Sequence, residues 1–157
     1  MGAFRGQGAT EYLVLLAVVL IVALVSVALL GFFPGMAADA RITQSQTYWR
    51  GQARPFSIMD VAINSTNATL SIMNKEASGQ YVIPANGIQI GTVACTTAGA
   101  SFSAGETETP AITVSGAFTP CSTPGAIYDY NVTITYNTPS MTGLRQYGTK
   151  NLIGKCT

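Results

Sequence analysis

The chain has 157 residues, 8 Lys+Arg against 7 Asp+Glu, a net charge of +1 and only 10% charged side chains, where an ordinary soluble domain carries about 25%. That length allows one modest domain and an appendage, and the missing basic excess argues against nucleic-acid binding. With no His, the commonest general base and metal ligand is gone, and three Cys without a CxxC pair argue against a zinc or thioredoxin-like site; no catalytic residue, metal or cofactor is expected.

The apolar residues are concentrated near the N-terminus. Arg5-Gly6-Gln7-Gly8-Ala9-Thr10-Glu11 leads into an apolar run over residues 12–33, in which Ser26 is the only notable polar side chain. As a helix rising about 1.5 Å per residue, this run spans about 33 Å, enough for a hydrocarbon core of about 30 Å. It is apolar on every side, which suits lipid or burial among other apolar helices. Tyr12, Leu13, Leu16, Leu20, Leu24, Leu30 and Phe33 are its candidate packing residues. Arg5 biases the N-terminus to the cytoplasm. The run exceeds the core of about 7–15 residues of a secretory signal, so cleavage near Ala37-Ala38-Asp39-Ala40 is disfavoured. Gly31 and Pro34 are expected to interrupt or kink the helix near its outer end.

Past Pro34, an amphipathic helix is expected to resume, with Ile42, Ser45, Trp49 and Ala53 on one face against the following domain and Pro55 closing it. From Phe56 onward, short runs alternate with period 2 between turn residues. Strands are predicted at 57–64, 69–74, 81–83, 87–94, 111–115, 127–136 and 146–153. In the sixth, Tyr128, Tyr130, Val132, Ile134 and Tyr136 share one face. The segment 96–110, small and polar, reads as a surface loop. The fold class is α+β, a long hydrophobic N-terminal helix followed by a mainly antiparallel, sandwich-like β head. The domain boundaries are 1–6 as a leader, 7–54 as the helix and 55–157 as the head.

Asn64, Asn67 and Asn131 each begin an Asn-X-Thr triplet and are glycosylation candidates if exposed on an exported domain. Outside the cell a disulfide is permitted. If 127–136 pairs with 146–153 as a hairpin, Cys121 and Cys156 meet at its open end, a bridge worth roughly 3–4 kcal/mol in the chain-entropy model; Cys95 with Cys121 is the second choice. Glu106, Glu108 and Asp129 are too scattered for a paired-carboxylate site, and no acidic loop has EF-hand spacing.

The run from Arg5 to Leu13 resembles the class III signal peptide of archaeal type IV pilins: a short basic leader, cleavage after glycine, Gln at the new N-terminus, and Glu four residues on. The segments from Tyr48-Trp49 to Pro55-Phe56 and from Gly148 to Gly154 fit small archaeal pilins less specifically. The resemblance implies cleavage between Gly6 and Gln7 by a prepilin/preflagellin-type peptidase, with an assembly ATPase and a membrane platform as further partners. It implies a membrane-held precursor and then an extracellular homopolymer, a major pilin serving surface attachment. Glu11 would then pair with the new α-amino group of Gln7 on a neighbouring subunit. A lesser role is also open to it, an acidic residue favoured by the first helical turn. An archaellin, a minor or tip pilin and a single-pass anchored binding protein are the alternatives. The first is disfavoured because archaellins usually lack an acidic residue at the position of Glu11.

Overall fold

The computed structural model describes residues 7–93, 95–107 and 111–157, without the side chains of residues 7 and 32–34. One long apolar N-terminal helix is followed by antiparallel β-sheets, an α+β layout. The chain divides into two compact units, one ending at Ala40 and the other comprising Arg41–Thr157.

Helix α1 covers Gln7–Thr47. Its Leu and Ala are good helix formers, and in an apolar medium a helix satisfies every backbone group within the segment. Even Ser26 follows this rule, since its hydroxyl donates to Val22 O at 2.7 Å. The large apolar side chains from Tyr12 to Leu30 are 45–72% exposed. Through Gly31 and Pro34 the helix is not interrupted: α1 runs from Gln7 to Thr47. A proline removes one i→i−4 bond, and the ladders of the turns on either side remain.

The second unit begins earlier than residue 55 because the last turns of α1 belong to it. Ser45, Trp49 and Ala53 are buried and Ile42 is half-buried, the face expected from the spacing. α1 passes into a π-helical turn, Tyr48–Gln52, where Ala53 N donates to Tyr48 O at 2.9 Å. Lys75 Nζ donates to Arg50 O at 2.6 Å and Gly51 O at 3.1 Å, satisfying carbonyls that a helix end leaves open.

Eleven strands follow: β1 Phe56–Ile63, β2 Asn67–Asn74, β3 Tyr81–Ile83, β4 Ile88–Ile90, β5 Thr96–Thr97, β6 Ala100–Phe102, β7 Ile112–Ser115, β8 Ile127–Tyr130, β9 Val132–Tyr136, β10 Leu144–Tyr147 and β11 Leu152–Lys155. They form a four-stranded sheet in the order β1-β2-β7-β5, a three-stranded sheet β10-β9-β4 and the pairs β11-β8 and β3-β6, with every pairing antiparallel. Alternation decides which side chains enter the core: in β2, Ala68, Leu70, Ile72 and Asn74 are buried. One cluster gathers Trp49, Phe56, Ile63, Leu70, Ile83, Phe102, Phe118, Tyr128, Ile134 and Leu152, each large apolar side chain contributing about 1.5–3 kcal/mol by leaving water. The Phe56 ring lies 5.2 Å from Phe102 and 5.5 Å from Tyr136. Gln146 reinforces β1: its amide accepts from Phe56 N at 3.0 Å and donates to Phe56 O at 2.8 Å.

Three strand predictions are corrected: the one expected at 87–94 ends at Ile90, where Gly91 and Thr92 turn, and two others are split. The strand expected at 127–136 breaks at Asn131 into β8 and β9, and the one expected at 146–153 becomes β10 and β11. β9 pairs with β10 and β8 with β11, so the two halves form an interrupted hairpin. Beside one gap, the Trp49 ring lies where a Cβ at Gly148 would stand, and Gly148 N still donates to Val132 O at 3.1 Å. At the other gap, Asn131 O accepts from Gly91 N at 2.8 Å instead of from a ladder partner. The segment 96–110 is likewise more than a surface loop, because it holds β5 and β6 and buries Thr97 and Phe102.

Candidate functional site

Two regions hold the residues singled out from the sequence, and each lies within one unit. In the first unit, Gly6 falls outside the described residues, and Gln7 opens α1. Glu11 is exposed, four residues into the helix. Tyr12, Leu13, Leu16, Leu20, Leu24 and Leu30 are all exposed; the side chain of Phe33 is outside the described set. By length and composition, this helix can cross a membrane. Its side chains fall all around the axis, so no single partner surface can cover them.

In the second unit, the end of α1 is tied to the β8–β11 pair. Ser45, 2% exposed, donates from its hydroxyl to Asn151 O at 2.7 Å and accepts from Ile153 N at 2.9 Å. Arg41 pairs with Asp129 Oδ2, while Asp129 Oδ1 accepts from Asn151 Nδ2 at 2.7 Å. Tyr48 Oη accepts from Thr149 N at 3.1 Å. The two segments of the looser resemblance, around Tyr48-Trp49 and from Gly148 to Gly154, are therefore in contact. Gln44, Lys150 and Thr149 complete a polar cleft with this set, but its carboxylate is already engaged by Arg41 and Asn151. Trp49 Nε1 is buried without a hydrogen-bond partner, consistent with a packing role.

Cys121 and Cys156 form a disulfide across a sequence separation of 35, and Cys95 is a half-buried thiol. Asn64 and Asn131 are exposed, and Asn67 is half-buried. Glu106 caps its own turn: Ser103 N donates to its Oε2 at 2.6 Å, and that bond holds the carboxyl below its usual range. Glu108 lies outside the described residues, and among those described no group of three or more His, Cys, Asp or Glu could hold a metal ion. Burial pushes the Tyr128 phenol up to about 12, with the Asp60 carboxylate adding to it. Sequence reasoning missed Ser45 as a double hydrogen-bonding group and Gln146 as the partner of β1. Ser45 was on the expected face, but nothing local marks a long-range partner. No family model, curated protein or solved structure matches this chain.

Proposed function

We propose that this chain is the structural subunit, a major pilin, of an extracellular archaeal type IV filament, polymerising through α1. The observation that carries the reading is an exposed helix, apolar on all sides, with one carboxylate, Glu11, close to its start. Removing large apolar side chains from water contributes about 1.5–3 kcal/mol each. A helix without a polar face is fully covered only by lipid or by several like helices. Cleavage after Gly6 leaves the α-amino group of Gln7 as the group able to neutralise a neighbour's Glu11. A buried, unpaired carboxylate is costly, and a pair fixes axial register. The disulfide and the β-rich second unit with its own core suit an exported domain. The peptidase, ATPase and membrane platform belong to the same proposal.

The test is mass spectrometry of the N-terminal peptide from sheared filaments, together with Glu11→Ala. The expected peptide begins at Gln7 in a protein that dominates the filament fraction. In the variant, removing one member of a buried pair costs about 3–5 kcal/mol per contact, so membrane insertion stays normal while filament yield falls more than about tenfold. Retention of Met1 in a protein that never leaves the membrane overturns the reading in favour of a permanently anchored surface protein. Normal filaments from Glu11→Ala remove the pairing role alone.

A further inference from the structure

The three Asn-X-Thr triplets differ in backbone conformation, and the difference selects among them. Such a triplet marks an acceptor on a surface loop, where the transferase has to reach both the asparagine amide and the hydroxyl two residues on. In an extended strand, residues i and i+2 share a face but stand about 6.5–7 Å apart along the chain. Asn67-Ala68-Thr69 is of this kind: it lies in β2, paired to β1 on one side and β7 on the other, with Ala68 fully buried. Asn67 Nδ2 also donates to Thr66 Oγ1 at 3.4 Å. Asn131 is exposed, but Val132 is buried and Thr133 sits in the middle sheet strand β9, opposite Gln89 and Tyr147.

Asn64-Ser65-Thr66 makes the turn between β1 and β2, and all three residues are exposed. Thr66 Oγ1 reaches Asn64 Oδ1 at 3.2 Å, and the same oxygen accepts from Thr66 N at 2.9 Å and Asn67 N at 2.8 Å. Those bonds all fall on the oxygen, leaving Nδ2 on the other side of the planar amide. The turn is preset from outside as well: Ser65 O accepts from Phe118 N at 3.0 Å and Thr66 O from Gly116 N at 2.9 Å.

We infer that Asn64 is the N-glycosylation site of the folded protein and that Asn67 and Asn131 stay bare. The inference rests on the export of the second unit that the proposed function requires, and not on polymerisation. The donor is a lipid-linked sugar phosphate. The bond between Nδ2 and the anomeric carbon forms, the bond from that carbon to the phosphate oxygen breaks, the phosphate leaves with the electron pair, and Nδ2 gives up one proton. A sugar on Nδ2 leaves Oδ1 and its three hydrogen bonds in place, so modification keeps the turn.

The experiment is tryptic digestion of the protein from both membrane and sheared-filament fractions of the source cells. Electron-transfer fragmentation of peptide 51–75, which carries Asn64 and Asn67, separates the two, and peptide 76–145 reports on Asn131. The expected result is glycan on Asn64 with less than about a tenth of that occupancy elsewhere, lost in Thr66→Ala and kept in Thr66→Ser. A bare peptide 51–75, or comparable glycan at Asn67 or Asn131, overturns the inference. Anchored protein carrying sugar at Asn64 would defeat the polymerisation reading and leave this one standing; filaments of bare chains would do the reverse.

Discussion

Tyr128 shows how a single side chain reports on the whole core. Its partner in the β8–β11 register is Gly154, and a Cβ there would run into the phenol ring. The aromatic ring thus covers the backbone of the facing strand, a pairing that glycine permits. Burial raises the phenol from its ordinary value of 10.0 to about 12. The folded value is the raised one, so the stabilisation is fully present below pH 10 and is lost as pH rises towards 12. Alkaline titration is expected to produce the Tyr128 tyrosinate together with loss of near-ultraviolet circular dichroism. Tyr128→Phe should retain the fold to higher pH than the parent. Tyrosinate formation at the ordinary pH with the fold intact would contradict this placement. The alternation around Tyr128 in the sequence already assigned it to the apolar face. Its pairing with Gly154 was not legible, because register depends on the interruption between β10 and β11.

Elements join through a few polar groups whose worth depends on burial. Ser45 is enclosed and bonds to two backbone groups of the 151–153 segment, while the Arg41–Asp129 pair lies largely in solvent. Ser45→Ala leaves Asn151 O and Ile153 N without their partner and is expected to cost about 1–3 kcal/mol. Arg41→Ala should cost at most about 1 kcal/mol, as for other exposed ion pairs. Denaturant unfolding of the two variants in detergent checks the order, and a larger loss for Arg41→Ala would reverse the assignment. At this scale the sequence was informative where a pattern is local. The apolar helix, the inward stripe of half-buried Ile42 and buried Ser45, Trp49 and Ala53, and the alternation of β2 and β9 all follow from spacing. The splitting of two strands, the burial of Thr97 and Phe102, and the continuity of α1 through Pro34 do not. Each depends on a distant neighbour or on how well flanking turns tolerate one missing bond.

For the molecule as a whole, the sharpest contrast is between an apolar helix and a β unit that keeps its own core and disulfide. A charge in the middle of the helix tests that division. Leu20→Arg places a cation at the centre of the apolar run, costing about 2.5–3.5 kcal/mol on insertion scales. The expected outcome is a several-fold smaller membrane-inserted fraction and no filaments. In the molecules that are exported, Cys121–Cys156 should still form. Fractionation with a thiol-labelling assay reads both, and an unchanged membrane-bound fraction would show that position 20 does not lie at the centre of a lipid-embedded run. The candidate site was legible at its charged end, where Glu11 stands out against its surroundings, and in Asn64 as a triplet. The hydrogen bonds that separate Asn64 from Asn67 and Asn131 were not, because they are made by a turn whose shape segment 116–118 sets.

Ser26 returns its hydroxyl to its own helix, and the rest of the run is apolar on every side, so this stretch of α1 has no compass bearing. Turned about its axis by any angle, it offers a neighbour nearly the same surface. A bundle of such rods is a lubricated one: rotation and sliding cost little, and orientation has to be dictated by groups outside the greasy stretch. Leucine-to-alanine changes within it should therefore loosen a bundle evenly, without altering its pitch, whereas substitutions at Glu11 would disturb its geometry.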